Sequence, residues 1–104
     1  MTETYSVHPV GLIRKTEDTA CIEIFEAYRD AMLGLEGFSH IQVIFWFHDN
    51  DSPGHRGTLQ VHPRNNPANP LTGVFATHSP RRPNLIGLTR CRIIGIDGPR
   101  IAIE

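Results

Sequence analysis

Lysine is nearly missing from this sequence: of its ten basic side chains nine are arginine, and Lys15 is the exception. Cysteine is scarce, with only Cys21 and Cys91 and no Cys-x-x-Cys, which excludes a disulfide framework and a cysteine zinc set. Both are read as small core residues. Long apolar runs are absent: the longest, Val43-Ile44-Phe45-Trp46-Phe47, is far short of the ~20 residues that cross a bilayer as a helix. Met1-Thr2-Glu3-Thr4 lacks the basic stretch of a secretory leader, so no membrane association and a cytoplasmic location are expected. No Gly-x-Gly-x-x-Gly, P-loop or Gly-x-Ser-x-Gly occurs, which argues against a dinucleotide-binding fold and against nucleophilic hydrolysis.

The most telling absence is regional. Residues 52–96 contain no Asp or Glu, yet carry Arg56, Arg64, Arg81, Arg82, Arg90 and Arg92, whereas residues 1–51 hold nine carboxylates against Arg14, Lys15 and Arg29. Arginine's planar fork suits phosphate, carboxylate and base stacking. The later stretch therefore either meets an external anion or pairs with the acidic stretch, within the fold or across a dimer.

At 104 residues with 39% apolar positions, the chain is expected to form one domain, 1–104. Val7–Arg14, interrupted by Pro9, reads as an edge strand. Thr19–Phe25 alternates with the period of a strand, and Glu26–Leu33 then changes to a helical period, with Gly34 suited to a left-handed C′ position. Ser39–His48 is apolar with little alternation and is expected as the core strand, buried on both faces. Asp49–Gly54 reads as a loop, Thr58–His62 and Gly73–Thr77 as short strands, and Pro63–Thr72 as an extended loop. Gly87–Ile96 and Arg100–Ile103 flank Asp97-Gly98-Pro99, a hairpin signal. Six or seven short strands with one short helix and no βαβ rhythm predict an antiparallel barrel or sandwich.

Two places combine chemistry with constraint. His78-Ser79-Pro80-Arg81-Arg82-Pro83-Asn84 is a loop whose prolines restrict its backbone in advance, lowering the entropy cost of presenting guanidinium and amide groups. The alternative is a braced connector whose arginines face water. At the end of the apolar strand, His48-Asp49 sets an imidazole beside a carboxylate, the pattern of a base or simply of a surface histidine. A metal site is not expected. His40 and His48 lie ~26 Å apart along a strand, and His55, His62 and His78 lack any ligand spacing.

Several blocks bear a resemblance to the TsaA-like, TrmO-type family: Gly34-Leu35-Glu36-Gly37-Phe38-Ser39-His40-Ile41 running into Phe45-Trp46-Phe47-His48, then His62-Pro63-Arg64, then Gly73-Val74-Phe75-Ala76-Thr77 through Arg82-Pro83-Asn84 to Gly87-Leu88. The resemblance implies a single-sheeted antiparallel β-barrel, homodimeric, that uses S-adenosyl-L-methionine to methylate N6 of threonylcarbamoyladenosine in tRNA. By the same analogy His48 and Asp49 would serve catalysis and touch the cofactor, together with His78 and Leu88. Arg64, Arg81, Arg82 and Asn84 would hold substrate or the loop. The sequence departs from the family pattern at His78, where arginine is usual, and at Leu85, where proline is usual. The Asp-Gly-Thr-Pro segment that the resemblance would lead one to expect is not found among these 104 residues. A barrel that binds adenosylmethionine or RNA without turnover is the alternative.

Overall fold

Two antiparallel hairpins organise the larger sheet. In the computed structural model, which describes residues 2–104, β1 (Gly11–Lys15) pairs with β2 (Ala20–Ile24) in the register Gly11↔Ile24 to Lys15↔Ala20. A Cβ on Gly11 would lie 2.5 Å from the Glu23 carbonyl oxygen, so this close approach needs glycine. The second hairpin joins β6 (Ile86–Asp97) to β7 (Arg100–Ile103). Its turn sets Gly98 at φ 58° before Pro99, with Asp97 facing Arg100, so glycine holds the first central position, where a tight hairpin needs a positive φ. The register slips between Ile93 and Gly95, a bulge that leaves Ile94 exposed.

With β3 (His40–Trp46), these strands form a sheet in the order β1-β2-β7-β6-β3. β4 (Gln60–Val61) and β5 (Thr72–Gly73) form a small second sheet. The protein is mostly β, as its turn-rich short strands predict.

The chain's contacts group into two compact units, Met1–Ile41 with Arg90–Glu104, and Gln42–Thr89. In the first, Ile22, Cys91, Ile101 and Ile103 are buried, and Ile22 lies opposite Ile101 across the β2–β7 ladder. In the second, Val74 and Leu85 are buried, Leu85 completely. Among the described residues, no helix is long and apolar enough to cross a membrane.

Several local expectations need correction. β3 is not a strand buried on both faces: it stands last in the sheet order, none of its residues is buried, and Ile44 is 73% exposed. Its burial alternates, with Val43 and Phe45 half-buried while Ile44 and Trp46 face out. An unbroken apolar run cannot tell whether its second face is covered within the chain. The expected short helix is present at Glu26–Met32 and is of the 3-10 type, closed by bonds such as Tyr28 N–H to the Phe25 carbonyl at 2.9 Å. Seven residues are few to sustain an α-helix without deep packing, and none of these is buried. Gly34 does take the left-handed conformation, at φ 85°.

The two short strands shrink to two residues each, because after Gly73 the chain turns into a 3-10 segment at Val74–Ala76. The expected loop Asp49–Gly54 runs at its end into a one-turn helix, α1 (Pro53–Arg56). Ser52 caps it, its Oγ accepting from the His55 N–H at 3.2 Å, and Pro53 sits in the first turn. Cys91 is buried as expected, but Cys21 is half-exposed.

Arg92 on β6 is hydrogen-bonded to Glu104 and holds its carboxyl below the ordinary carboxylate range, by the hydrogen bond first and charge attraction second. The pair's support is therefore present above the unfolded-state pKa of Glu104 and is lost as pH falls through the depressed folded value. The group is exposed, so the test is spectroscopic. In R92A the Glu104 side-chain NMR titration is expected to return to the ordinary range, and an unmoved titration would remove the pairing from solution.

Candidate functional site

Every residue that the sequence singles out for chemistry falls within Gln42–Thr89, so the second unit is sufficient to describe the site. β3 delivers the chain through Phe47 to His48 and Asp49, whose Nε2 and Oδ1 lie 3.3 Å apart with side chains 80% and 89% exposed. Such a pair in water is worth at most ~1 kcal/mol. If Asp49 engages Nε2, Nδ1 is left to accept a proton.

The arginine loop is braced by its own polar atoms. Thr77 Oγ1 donates to the Val74 carbonyl at 3.0 Å and accepts from the Ser79 N–H at 3.1 Å, and Ser79 Oγ accepts from the Arg81 N–H at 3.1 Å. Arg82 Nη1 donates back to the carbonyls of Thr77 and Ser79 at 3.3 and 3.4 Å. Arg82 is thus a loop brace, whereas His78, Arg81 and Asn84 are exposed. After Asn84 the chain dives inward through Leu85, whose carbonyl accepts from the Phe47 N–H at 2.8 Å. This bond sets the residue before His48 against the residue after Asn84. The strand exit and the end of the arginine loop therefore meet. Leu88, farther along β6, is half-exposed and offers apolar surface.

Beneath this junction Phe45 and Phe47 meet edge to face with ring centres 5.0 Å apart. A Cβ on Gly87 would come within 2.5 Å of Phe45 Cζ and 2.8 Å of Phe47 Cζ. Gly87→Ala must therefore displace two mutually packed rings and is expected to lower stability by about 1–3 kcal/mol. That corresponds to a fall in Tm of roughly 4–8 °C per kcal/mol at this chain length. Thermal unfolding within a degree of wild type would contradict the packing.

Arg64 stands apart. It lies in the His62-Pro63-Arg64-Asn65 turn, with Arg64 at φ 60° and Asn65 at φ 53°, braced by His62 Nδ1 with the Asn69 carbonyl at 2.9 Å and by Asn69 Nδ2 to the Pro63 carbonyl at 2.7 Å. A left-handed arginine is conformationally costly and is held here by the surrounding bonds. No hydrogen bond among the described residues ties this turn to the His48 or Arg81 segments.

Three residues that the sequence does not single out tie the junction together: Trp46, Asp51 and Arg56. Arg56 Nε donates to Asp51 Oδ1 at 2.8 Å, its Nη1 donates to the Pro83 carbonyl at 3.3 Å, and its guanidinium lies 5.5 Å from the Trp46 ring centre. Ser52-Pro53 is a sequence signal for the helix start. The three-way role of Arg56 has no such signal, because its partners come from three separate segments.

The fold and site define a small, mostly β domain with a braced arginine loop beside an imidazole–carboxylate pair. The chain belongs to the family of the tRNA-methyltransferase O N-terminal domain, which matches residues 7–104. A protein of Pyrococcus horikoshii named as a probable S-adenosyl-L-methionine-binding protein is 47% identical over 102 residues, covering 98% of this chain and 72% of its own length. The tRNA (adenine(37)-N6)-methyltransferase of Rattus norvegicus is 39% identical over 93 residues, 86% of this chain and 21% of its own. A crystal structure of TrmO from Pseudomonas aeruginosa superimposes with a TM-score of 0.70 at 27% identity, covering 100% of this chain and 48% of that one. The chain thus spans about half the length of that solved relative.

Proposed function

We propose that this chain binds S-adenosyl-L-methionine and transfers its methyl group to N6 of a tRNA adenosine, with threonylcarbamoyladenosine beside the anticodon as acceptor. The observation that carries this reading is the junction made by the Phe47–Leu85 backbone bond, where an imidazole–carboxylate pair meets a pre-braced arginine loop. The donor set suits the cofactor. The Asp49 carboxylate can accept from ribose hydroxyls or face a sulfonium, His78 offers a donor to a carboxylate, and half-exposed Leu88 offers apolar surface to an adenine. When bound, the cofactor supplies a methyl group on a positively charged sulfur.

The chain's own residues do the rest. His48 Nδ1 accepts the N6 proton, and Asp49 stabilises the imidazolium that results. Arg64, Arg81 and Asn84 hold the polyanionic acceptor, with Arg82 keeping the loop in shape. An acceptor as large as tRNA would cover His48 and Asp49, and their attraction strengthens as water leaves.

A homodimer completes this reading. Ile44, Leu59, Leu71 and Phe75 are 56–83% exposed, an apolar excess that a second copy would cover. Light scattering is expected to give about twice the chain's 11.7 kDa at micromolar concentration, and a monomer mass would remove the dimer. A cytoplasmic location accompanies a tRNA substrate.

The near-complete exposure of His48 and Asp49 favours a second reading, a domain that binds adenosylmethionine or RNA without turnover. Calorimetry with adenosylmethionine and its demethylated product tests what both readings share. Heat of binding is expected for each, and none at millimolar ligand would remove the cofactor.

A further inference from the structure

Among the described residues, Arg56 is the one side chain that joins the strand exit, helix α1 and the arginine loop. Its Nε is occupied by Asp51, its Nη1 reaches the Pro83 carbonyl, and its guanidinium carbon lies over the Trp46 ring, 5.5 Å from the ring centre. Pro83 is the residue before Asn84, and Asp51 follows two residues after Asp49, so Arg56 spans the two halves of the junction. The loop's internal bonds, from Thr77, Ser79 and Arg82, fix its shape. They do not fix where it stands against the strand exit. Beyond the sheet and the packing of Gly87 on Phe45 and Phe47, two hydrogen-bonded links among the described residues do that: the Phe47–Leu85 backbone bond, and Arg56 to the Pro83 carbonyl.

We propose that Arg56 is a positioning residue, a clamp that sets the 77–84 loop at the end of β3. It touches neither the cofactor nor the reacting atoms. It acts by holding Asn84 and Arg81 in place before a ligand arrives, so that binding does not have to order them. This rests on the loop being the recognition surface. Lysine cannot replace it fully: an ammonium can pair with Asp51 and lie over an indole, but it lacks the second arm of the fork that reaches Pro83 at the same time.

Trp46 is the sole tryptophan, so its fluorescence reports the clamp without any ligand. The test compares wild type, Arg56→Lys and Arg56→Ala by Trp46 emission, amide hydrogen exchange and adenosylmethionine titration. Trp46 is already 46% exposed, so in Arg56→Ala a modest move of the emission to longer wavelength is expected as the part of the ring near the guanidinium is opened to water. Exchange across residues 77–86 is expected to quicken at least tenfold while β2 and β7 stay unchanged, and cofactor affinity to fall about tenfold. Arg56→Lys is expected to keep the wild-type emission yet lose the loop protection, a separation that a merely structural arginine would not produce. Unchanged exchange across 77–86 in both variants would overturn the proposal. Quickened exchange in a protein whose wild type binds no adenosylmethionine would instead keep the clamp and remove the functional reading.

Discussion

Leu85→Ala is expected to lower the unfolding free energy by about 2–5 kcal/mol, the range for emptying a fully buried leucine site. The second unit has little else of this kind: among the described residues, Val74 is its other buried apolar side chain. A loss of that size is a large part of the ~5–15 kcal/mol that domains usually have. The loop exit is thus anchored here by a side chain packed inward as well as by its carbonyl bond to Phe47. Equilibrium urea unfolding measures the effect through a lower midpoint at unchanged slope. A change below about 1 kcal/mol would mean that the site collapses around the smaller residue and that Leu85 is no anchor.

Replacing both Arg64 and Arg81 with alanine is expected to weaken tRNA binding about a hundredfold at low salt, roughly tenfold for each phosphate left without its guanidinium. The salt dependence of binding should flatten at the same time, the log–log slope shrinking by about 1 for each arginine. Both guanidinium groups are exposed, and neither is among the internal braces. The fold should therefore survive, as urea unfolding would confirm. Arg82→Ala should behave differently, loosening the loop by removing the bonds to the Thr77 and Ser79 carbonyls with little change in slope. A double variant that binds tRNA with wild-type slope would take both arginines out of the interface.

How far such outcomes could be foreseen from the sequence differs from element to element. Hairpin chemistry is local, so Asp97-Gly98-Pro99 announces the β6–β7 turn and Gly34 its left-handed position. The arginine loop is readable because prolines and a one-sided charge distribution are sequence properties. The burial of β3 is not: Val43-Ile44-Phe45-Trp46-Phe47 looks the same whether its outer face is covered from within or from outside the chain. Nor is the division of labour among the arginines. Arg82 turns back on its own loop, Arg56 joins three segments, and Arg81 faces solvent, yet all three are one residue type in one acid-free stretch. His48-Asp49 is legible as a pair, but not its exposure, which depends on how far the strand runs past the sheet.

Turnover separates an enzyme from a binding domain, and methyl transfer measures it. The full chain is incubated with S-adenosyl-L-methionine labelled in its methyl group and with bulk tRNA, and the recovered nucleosides are separated. We expect label on N6 of the threonylcarbamoyl-modified adenosine, lost when His48 is replaced by alanine. A folded chain that binds both cofactor and tRNA yet leaves the tRNA unlabelled would contradict the claim and establish a binding domain in its place.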